Sequence, residues 1–81
     1  MASLILFTTS GCHLCEQAQQ LIQKVLGSPA AEIEIADDTR LLEDYGTRIP
    51  VLRRLDTGRE IAWPFDAKAI LELLQREDAD N

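Results

Sequence analysis

An unbroken apolar run, Leu4-Ile5-Leu6-Phe7, stands one short turn ahead of a long helical stripe, and this pairing leaves the chain few architectures. Ser3 to Thr8 reads as a strand whose apolar centre is buried on both faces, as in the middle of a covered sheet. Thr8-Thr9-Ser10-Gly11 breaks it. From Cys12 to Leu26 the residues Leu14, Ala18, Leu21, Ile22, Val25 and Leu26 recur at helical spacing and form one stripe. Gly27 and Pro29 end that helix. A right-handed crossover from a buried strand through such a helix makes the first two strands parallel neighbours.

The second strand, Glu32-Ile33-Glu34-Ile35, alternates polar and apolar residues, so it covers one face only and its charges suit a sheet edge. Asp37 or Asp38 can cap a short helix with Leu41, Leu42 and Tyr45 on its apolar face and Gly46 as its stop. Pro50 to Leu55 and Arg59 to Trp63 flank Asp56-Thr57-Gly58, where Gly58 can take the positive φ of a hairpin loop. Asp66 caps a last helix carrying Ala67, Ile70, Leu71 and Leu74 on one side, and Phe65 is placed to staple against Ile70. The tail from Glu77 to Asn81 is acidic and reads as frayed. The expected order is β-α-β-α-β-β-α, an α/β fold with a mixed four-stranded sheet and helices on both faces. With no linker or internal repeat, residues 1–81 read as one domain.

A chain of 81 residues buries only about 60–65% of the surface its unfolded form exposes, so its stability is thin. Hydrophobic residues at 46% and charged residues at 27% exclude a disordered chain. The formal net charge of -6 disfavours nucleic acid and anionic membranes as partners, since either would be approached against like charge. The run Leu4–Phe7 is too short for a signal-peptide core and lacks preceding basic residues, and no stretch reaches the roughly 18 apolar residues of a membrane span. The expectation is a cytoplasmic monomer. In a reducing compartment, two cysteines at this spacing point to redox or metal chemistry rather than a structural staple. Arg53 and Arg54 fall on opposite faces of a strand and read as solvated stems, not as one basic patch.

Cys12-His13-Leu14-Cys15 begins the first helix, and that location is more informative than the bare CxxC pattern. Unpaired amides and the positive end of the helix dipole stabilise an anion there, which lowers a thiol pKa from about 8.5 into a range of roughly 3.5–7.5. The first sulfur lies at the exposed mouth of the helix and the second beside the apolar stripe, so Cys12 is expected to attack and Cys15 to resolve. His13 either adds a donor or positive charge near the thiolate or faces solvent, because neighbouring helix positions diverge. Pro50 alone is uninformative, since proline at a strand start is often a boundary residue.

Over nearly its whole length, in the order of its elements and in the motifs CHLC and RIP, the chain resembles glutaredoxins and the wider thioredoxin superfamily. The resemblance is nearest to small bacterial glutaredoxin-like proteins. It implies that Ile49-Pro50 is a cis peptide facing the cysteines, where the Ile49 backbone would pair with an incoming substrate chain. Glutaredoxins usually carry Lys where this chain has Thr9, Thr-Val-Pro where it has Arg48-Ile49-Pro50, and Gly-Gly before the last helix where it has Trp63-Pro64-Phe65-Asp66. Those glycines admit glutathione closely, so Trp63 and Pro64 should reshape the pocket. Arg48 is either a partner for a substrate carboxylate or a solvated loop charge. Asp66 with the last helix N-terminus either holds the charged ends of a γ-glutamyl group or simply caps, and the roles are compatible. Trp63 is core, sheet face or site wall.

The leading expectation is a thiol–disulfide oxidoreductase or dithiol carrier acting through a mixed disulfide. Its substrates would be a disulfide-bearing protein or small thiol, with no tightly bound cofactor and with glutathione as a candidate co-substrate. The competing reading is a redox-sensing or binding module without turnover. A metal role ranks third, because structural zinc wants four ligands, although some glutaredoxins bridge an iron–sulfur cluster between subunits with glutathione.

Overall fold

The computed structural model describes residues 3–75. They form strand β1 (Leu4–Thr8), helix α1 (His13–Leu26), β2 (Ala31–Glu34), α2 (Thr39–Tyr45), β3 (Val51–Arg54), β4 (Glu60–Ala62) and α3 (Ala67–Leu73), with a 3-10 turn at Ile35–Asp37. The sheet order is β2-β1-β3-β4. β1 runs parallel to β2 and antiparallel to β3, and β3 pairs antiparallel with β4. The mixed sheet of the sequence reading is therefore present, with β1 inside and the charged β2 at an edge. The acidic tail from Glu77 onward lies outside the described residues.

Alternation along the inner strands builds two cores. Leu6 and its cross-strand partner Leu52 pack on one face with Ala18, Ile22, Phe65, Ile70 and Leu73, which come from α1, α3 and the loop before α3. Phe7 and its partner Val51 pack on the other face with Ile35 and Tyr45. The rings of Phe7 and Tyr45 stack with centroids 4.2 Å apart, which fixes α2 to that face. Helices thus cover both sides, as a doubly buried β1 requires.

The helix ends follow local chemistry. The Asp38 carboxylate accepts from the amides of Arg40 and Leu41, and Asp66 accepts from Ala69. Phe65 and Ile70 share the first core, as the staple expects. Gly58 has φ 76° at the end of the hairpin loop. Gly46, by contrast, ends α2 in the right-handed region, and its need for glycine is steric: a Cβ there would lie 2.5 Å from the Leu42 carbonyl oxygen.

Several expectations are corrected. Leu14, Leu42 and Leu71 are exposed, and Leu73 rather than Leu71 fills the core under α3. Leu14 lies in the first turn of α1, ahead of its buried residues, while α2 and α3 are short helices with a narrow contact line whose angle of approach to the sheet decides which leucine sits on it. The strands are shorter than their apolar patterns: Ile35 leaves β2 for the 3-10 turn, Pro50 and Leu55 flank β3, and β4 ends before Trp63. Arg54 is not a solvated stem. It is buried, with Nη1 donating to the carbonyls of Leu73 and Gln75 at 3.0 and 2.8 Å and the rest of its fork gripping Asp56. A guanidinium that satisfies carbonyls left open at the end of α3 can be buried because each of its three nitrogens meets an acceptor. Arg53 is half-exposed and bonded to Tyr45 and Glu60.

Candidate redox site

The turn into α1 sets the geometry of the cysteines. Gly11 has φ 74°, a conformation costly for other residues, and it swings the chain so that Cys12 becomes the N-cap of the helix. Cys12 is extended, at φ -90° and ψ 104°, and its carbonyl accepts the Glu16 amide at 3.1 Å. Its Sγ accepts the Cys15 amide at 3.0 Å. That amide belongs to the first turn and would otherwise lack a partner, so the sulfur occupies the place where a capping serine or aspartate oxygen is usual. Cys15 is 4% exposed and Cys12 is partly exposed. The two lie within disulfide-bonding distance, with Cα atoms 5.2 Å apart.

Beside the cysteines is a cleft of about 270 Å³, lined by residues of the turn 8–11, by Cys12 and Cys15, and by Glu16, Glu32 and Glu34. Parallel pairing creates this acidic wall. Register places Glu34 opposite Thr8, so β2 ends level with the turn that leads to Cys12. The two-residue period of β2 then puts Glu32 on the same face as Glu34. Glu34 accepts from the amide and hydroxyl of Ser10 at 3.0 and 3.1 Å and from the Ala36 amide. The bond from Ala36, with those from Thr9 and Ser10, holds the Glu34 carboxyl below its ordinary pKa. Gln19 donates to Glu32 at 2.9 Å while exchanging two bonds with the Ala30 backbone, which clamps α1 to the start of β2. Sequence reasoning identified the β2 glutamates only as edge charges. Their alternation gives a shared face, but nothing local shows that the face borders the cysteines.

Of the site residues expected from the sequence, Cys12 and Cys15 line this cleft, together with Thr9, which stands where glutaredoxins usually carry Lys. His13 projects into solvent with its side chain 90% exposed, 3.8 Å from the Glu16 carboxylate. Ile49-Pro50 is a cis peptide, as the resemblance implies. The Ile49 amide donates to the Tyr45 carbonyl, and the Pro50 carbonyl accepts from Trp63. Arg48 is exposed and pairs with Glu60 at 3.1 Å while its guanidinium lies 5.2 Å from the centre of the Tyr45 ring. Trp63 precedes a second cis proline, Pro64, and packs edge-to-face on Phe65 against the first core. Asp66 borders a separate hollow of about 490 Å³ with Ile61, Ala62, Pro64, Phe65 and Ala69. Among the described residues no three His, Cys, Asp or Glu side chains converge as a metal site, and no helix is long and apolar enough to cross a membrane.

The family described as glutaredoxin-like domain (DUF836) matches residues 3–75. Among solved structures, an X-ray structure of the structural-genomics target XcR50 from X. campestris is 38% identical, with a TM-score of 0.78, covering 90% of this chain and 100% of that one. The solution structure of XcR50 is 39% identical with a TM-score of 0.75, covering 94% of this chain and 99% of that one. The solution structure of Ne2328 from Nitrosomonas europaea is 27% identical with a TM-score of 0.73, covering 91% and 92% of the two chains. No curated protein matches.

Proposed function

This chain belongs to the glutaredoxin-like domain family (DUF836), and from that membership we propose that it is a thiol–disulfide oxidoreductase or dithiol electron carrier. The reading is carried by one observation: Cys12 Sγ is the N-cap acceptor of α1, facing the Cys15 amide and within bonding reach of the Cys15 sulfur. An amide that stabilises a neutral sulfur stabilises a thiolate more, because the bond becomes charge-assisted and aligns with the helix dipole. Cys12 therefore deprotonates more readily than a free thiol, and its partial exposure lets a substrate reach it.

The reduced protein attacks a substrate disulfide through the Cys12 thiolate. The new sulfur–sulfur bond joins Cys12 to the substrate, while the old bond breaks and its electron pair leaves with one substrate thiolate, which takes up a proton. Cys15 then attacks Cys12 Sγ, the second substrate thiolate departs, and the protein holds the oxidised pair. The substrate has gained two electrons and two protons. A dithiol or two equivalents of a monothiol restore the protein. Glutathione is a candidate for that second role, although Trp63 and Pro64 occupy positions where glutaredoxins carry glycines.

Two variants test the sequence of steps. Cys12→Ser abolishes reduction of a small neutral disulfide such as hydroxyethyl disulfide, whereas Cys15→Ser accumulates a mixed disulfide at Cys12 that is visible by intact mass. Alkylation of Cys12 followed against pH should titrate below the ordinary thiol value of about 8.5. Wild-type turnover by Cys12→Ser would refute the proposal. Reversible oxidation without turnover on any small disulfide would favour a redox-sensing module.

A further inference from the structure

The cleft beside the cysteines joins a reactive sulfur pair to carboxylates that face it from α1 and from β2. Glu16 comes from the first turn of α1, and Glu32 and Glu34 come from the end of β2. No Lys or Arg is among the described residues that line it. The carboxylates are held in place: Gln19 bonds Glu32, and Ser10 and Ala36 bond Glu34. Arg48, which the sequence left as either a partner for a substrate carboxylate or a solvated loop charge, pairs with Glu60. The whole chain adds a formal charge of -6, so the local field and the long-range field have the same sign.

From this arrangement we propose that the site selects disulfides embedded in basic polypeptide segments, with Lys or Arg beside the target cysteine, and discriminates against disulfides flanked by acidic residues. The inference rests on the exchange activity proposed above and adds its substrate class. A cationic segment entering the cleft meets the acids of α1 and β2 as its disulfide reaches Cys12. An acidic segment meets like charge at the same moment, when one further negative charge, the attacking thiolate, is already present. The chemistry is otherwise unchanged: Cys12 bonds to one substrate sulfur and the other leaves as a thiol, with the reduced protein as electron donor.

The test uses three symmetrical cystine peptides that differ only in their flanking residues: Lys-Cys-Lys, Gln-Cys-Gln and Glu-Cys-Glu. Peptide thiol released by the reduced full-length protein is measured by chromatography, and each rate is divided by the rate with dithiothreitol, which removes the intrinsic reactivity of each disulfide. At an ionic strength of about 0.01 M, where the Debye length is roughly 30 Å, the lysine peptide should exceed the glutamate peptide by about tenfold or more. At about 1 M, where that length is roughly 3 Å, the ratio should approach one. The double variant Glu16→Gln/Glu32→Gln changes two exposed side chains, and it should lower the low-salt ratio severalfold. A normalised ratio of one in wild type at low salt, or a ratio insensitive to salt, overturns the inference while leaving exchange itself intact if the neutral peptide reacts. Failure of all three peptides removes the exchange activity and this inference with it.

Discussion

Arg54 is a cation taken out of water at the end of an inner strand, and its neighbours explain why it stays there. Its fork meets two carbonyls at the end of α3 and the Asp56 carboxylate. The bond from Arg54 is also what chiefly holds Asp56 below its ordinary pKa. Replacing Arg54 with Leu would leave the Leu73 carbonyl without this donor in a buried setting, at a cost of about 1–3 kcal/mol. Urea unfolding should show a lower midpoint for Arg54→Leu, with Arg54→Lys in between, because an ammonium cannot span the same acceptors. A midpoint equal to wild type would mean that water replaces the guanidinium without loss. The sulfur of Cys12 is held by the same logic of backbone satisfaction, with the polarity reversed: there an orphan amide, not an orphan carbonyl, selects the side chain.

At the scale of the element, α3 depends on its ends, because a helix running only from Ala67 to Leu73 contributes little stability of its own. Asp66 caps one end, Arg54 ties the other, and Ile70 and Leu73 dock it in the first core. Asp66→Ala should cost about 1 kcal/mol in unfolding free energy, and Asp66→Asn much less, since asparagine caps equally well. The same pair of variants separates capping from substrate binding. If Asp66→Asn keeps stability yet weakens reaction with glutathione, the carboxylate charge serves the thiol; if glutathione reacts as with wild type, Asp66 is a cap alone. On the opposite face α2 is fixed by Tyr45, which stacks on Phe7 and donates its hydroxyl to Glu60. Burial raises the Tyr45 pKa, and the bond to Glu60 raises it further. Arg48 and Arg53 join the same carboxylate, so one acidic side chain links α2, the loop before β3, and both strands of the hairpin.

For the whole molecule, acid should be the destabilising condition. Burial alone would raise the Glu60 pKa, but its bonds to Tyr45 and Arg48 and the charge of Arg53 outweigh it and leave the carboxyl below its ordinary value of 4.5. Asp56 and Glu34 are lowered too, and as exposed groups they are discounted for solvent screening. A depressed carboxylate binds fewer protons folded than unfolded, so its contribution is present above the unfolded pKa and is lost as pH falls through the folded one. Unfolding midpoints should therefore hold from neutral pH to about pH 5 and decline below about pH 4. Glu60→Gln should flatten part of that decline, and an unchanged slope in this variant would remove Glu60 as a source.

The sequence by itself determined the features that arise within one turn or one strand. Capping by Asp66, a cap at Asp37 or Asp38 that the structure assigns to Asp38, the positive φ of Gly58, the helix-start position of Cys12 and the edge character of β2 each depend on neighbours a few residues away, and each was legible there. The RIP motif also pointed to the cis Ile49-Pro50 bond through family resemblance, whereas nothing indicated the second at Trp63-Pro64. Only tertiary structure decided which leucines of α2 and α3 pack against the core, that Arg54 turns inward to the end of α3, and that Glu16, Glu32 and Glu34 line a cleft with the cysteines. These facts depend on crossover, strand register and docking angle, which bring together groups far apart in the chain. Hydrophobic periodicity specifies a face but not its neighbour, and the neighbour sets the charge beside the cysteine pair.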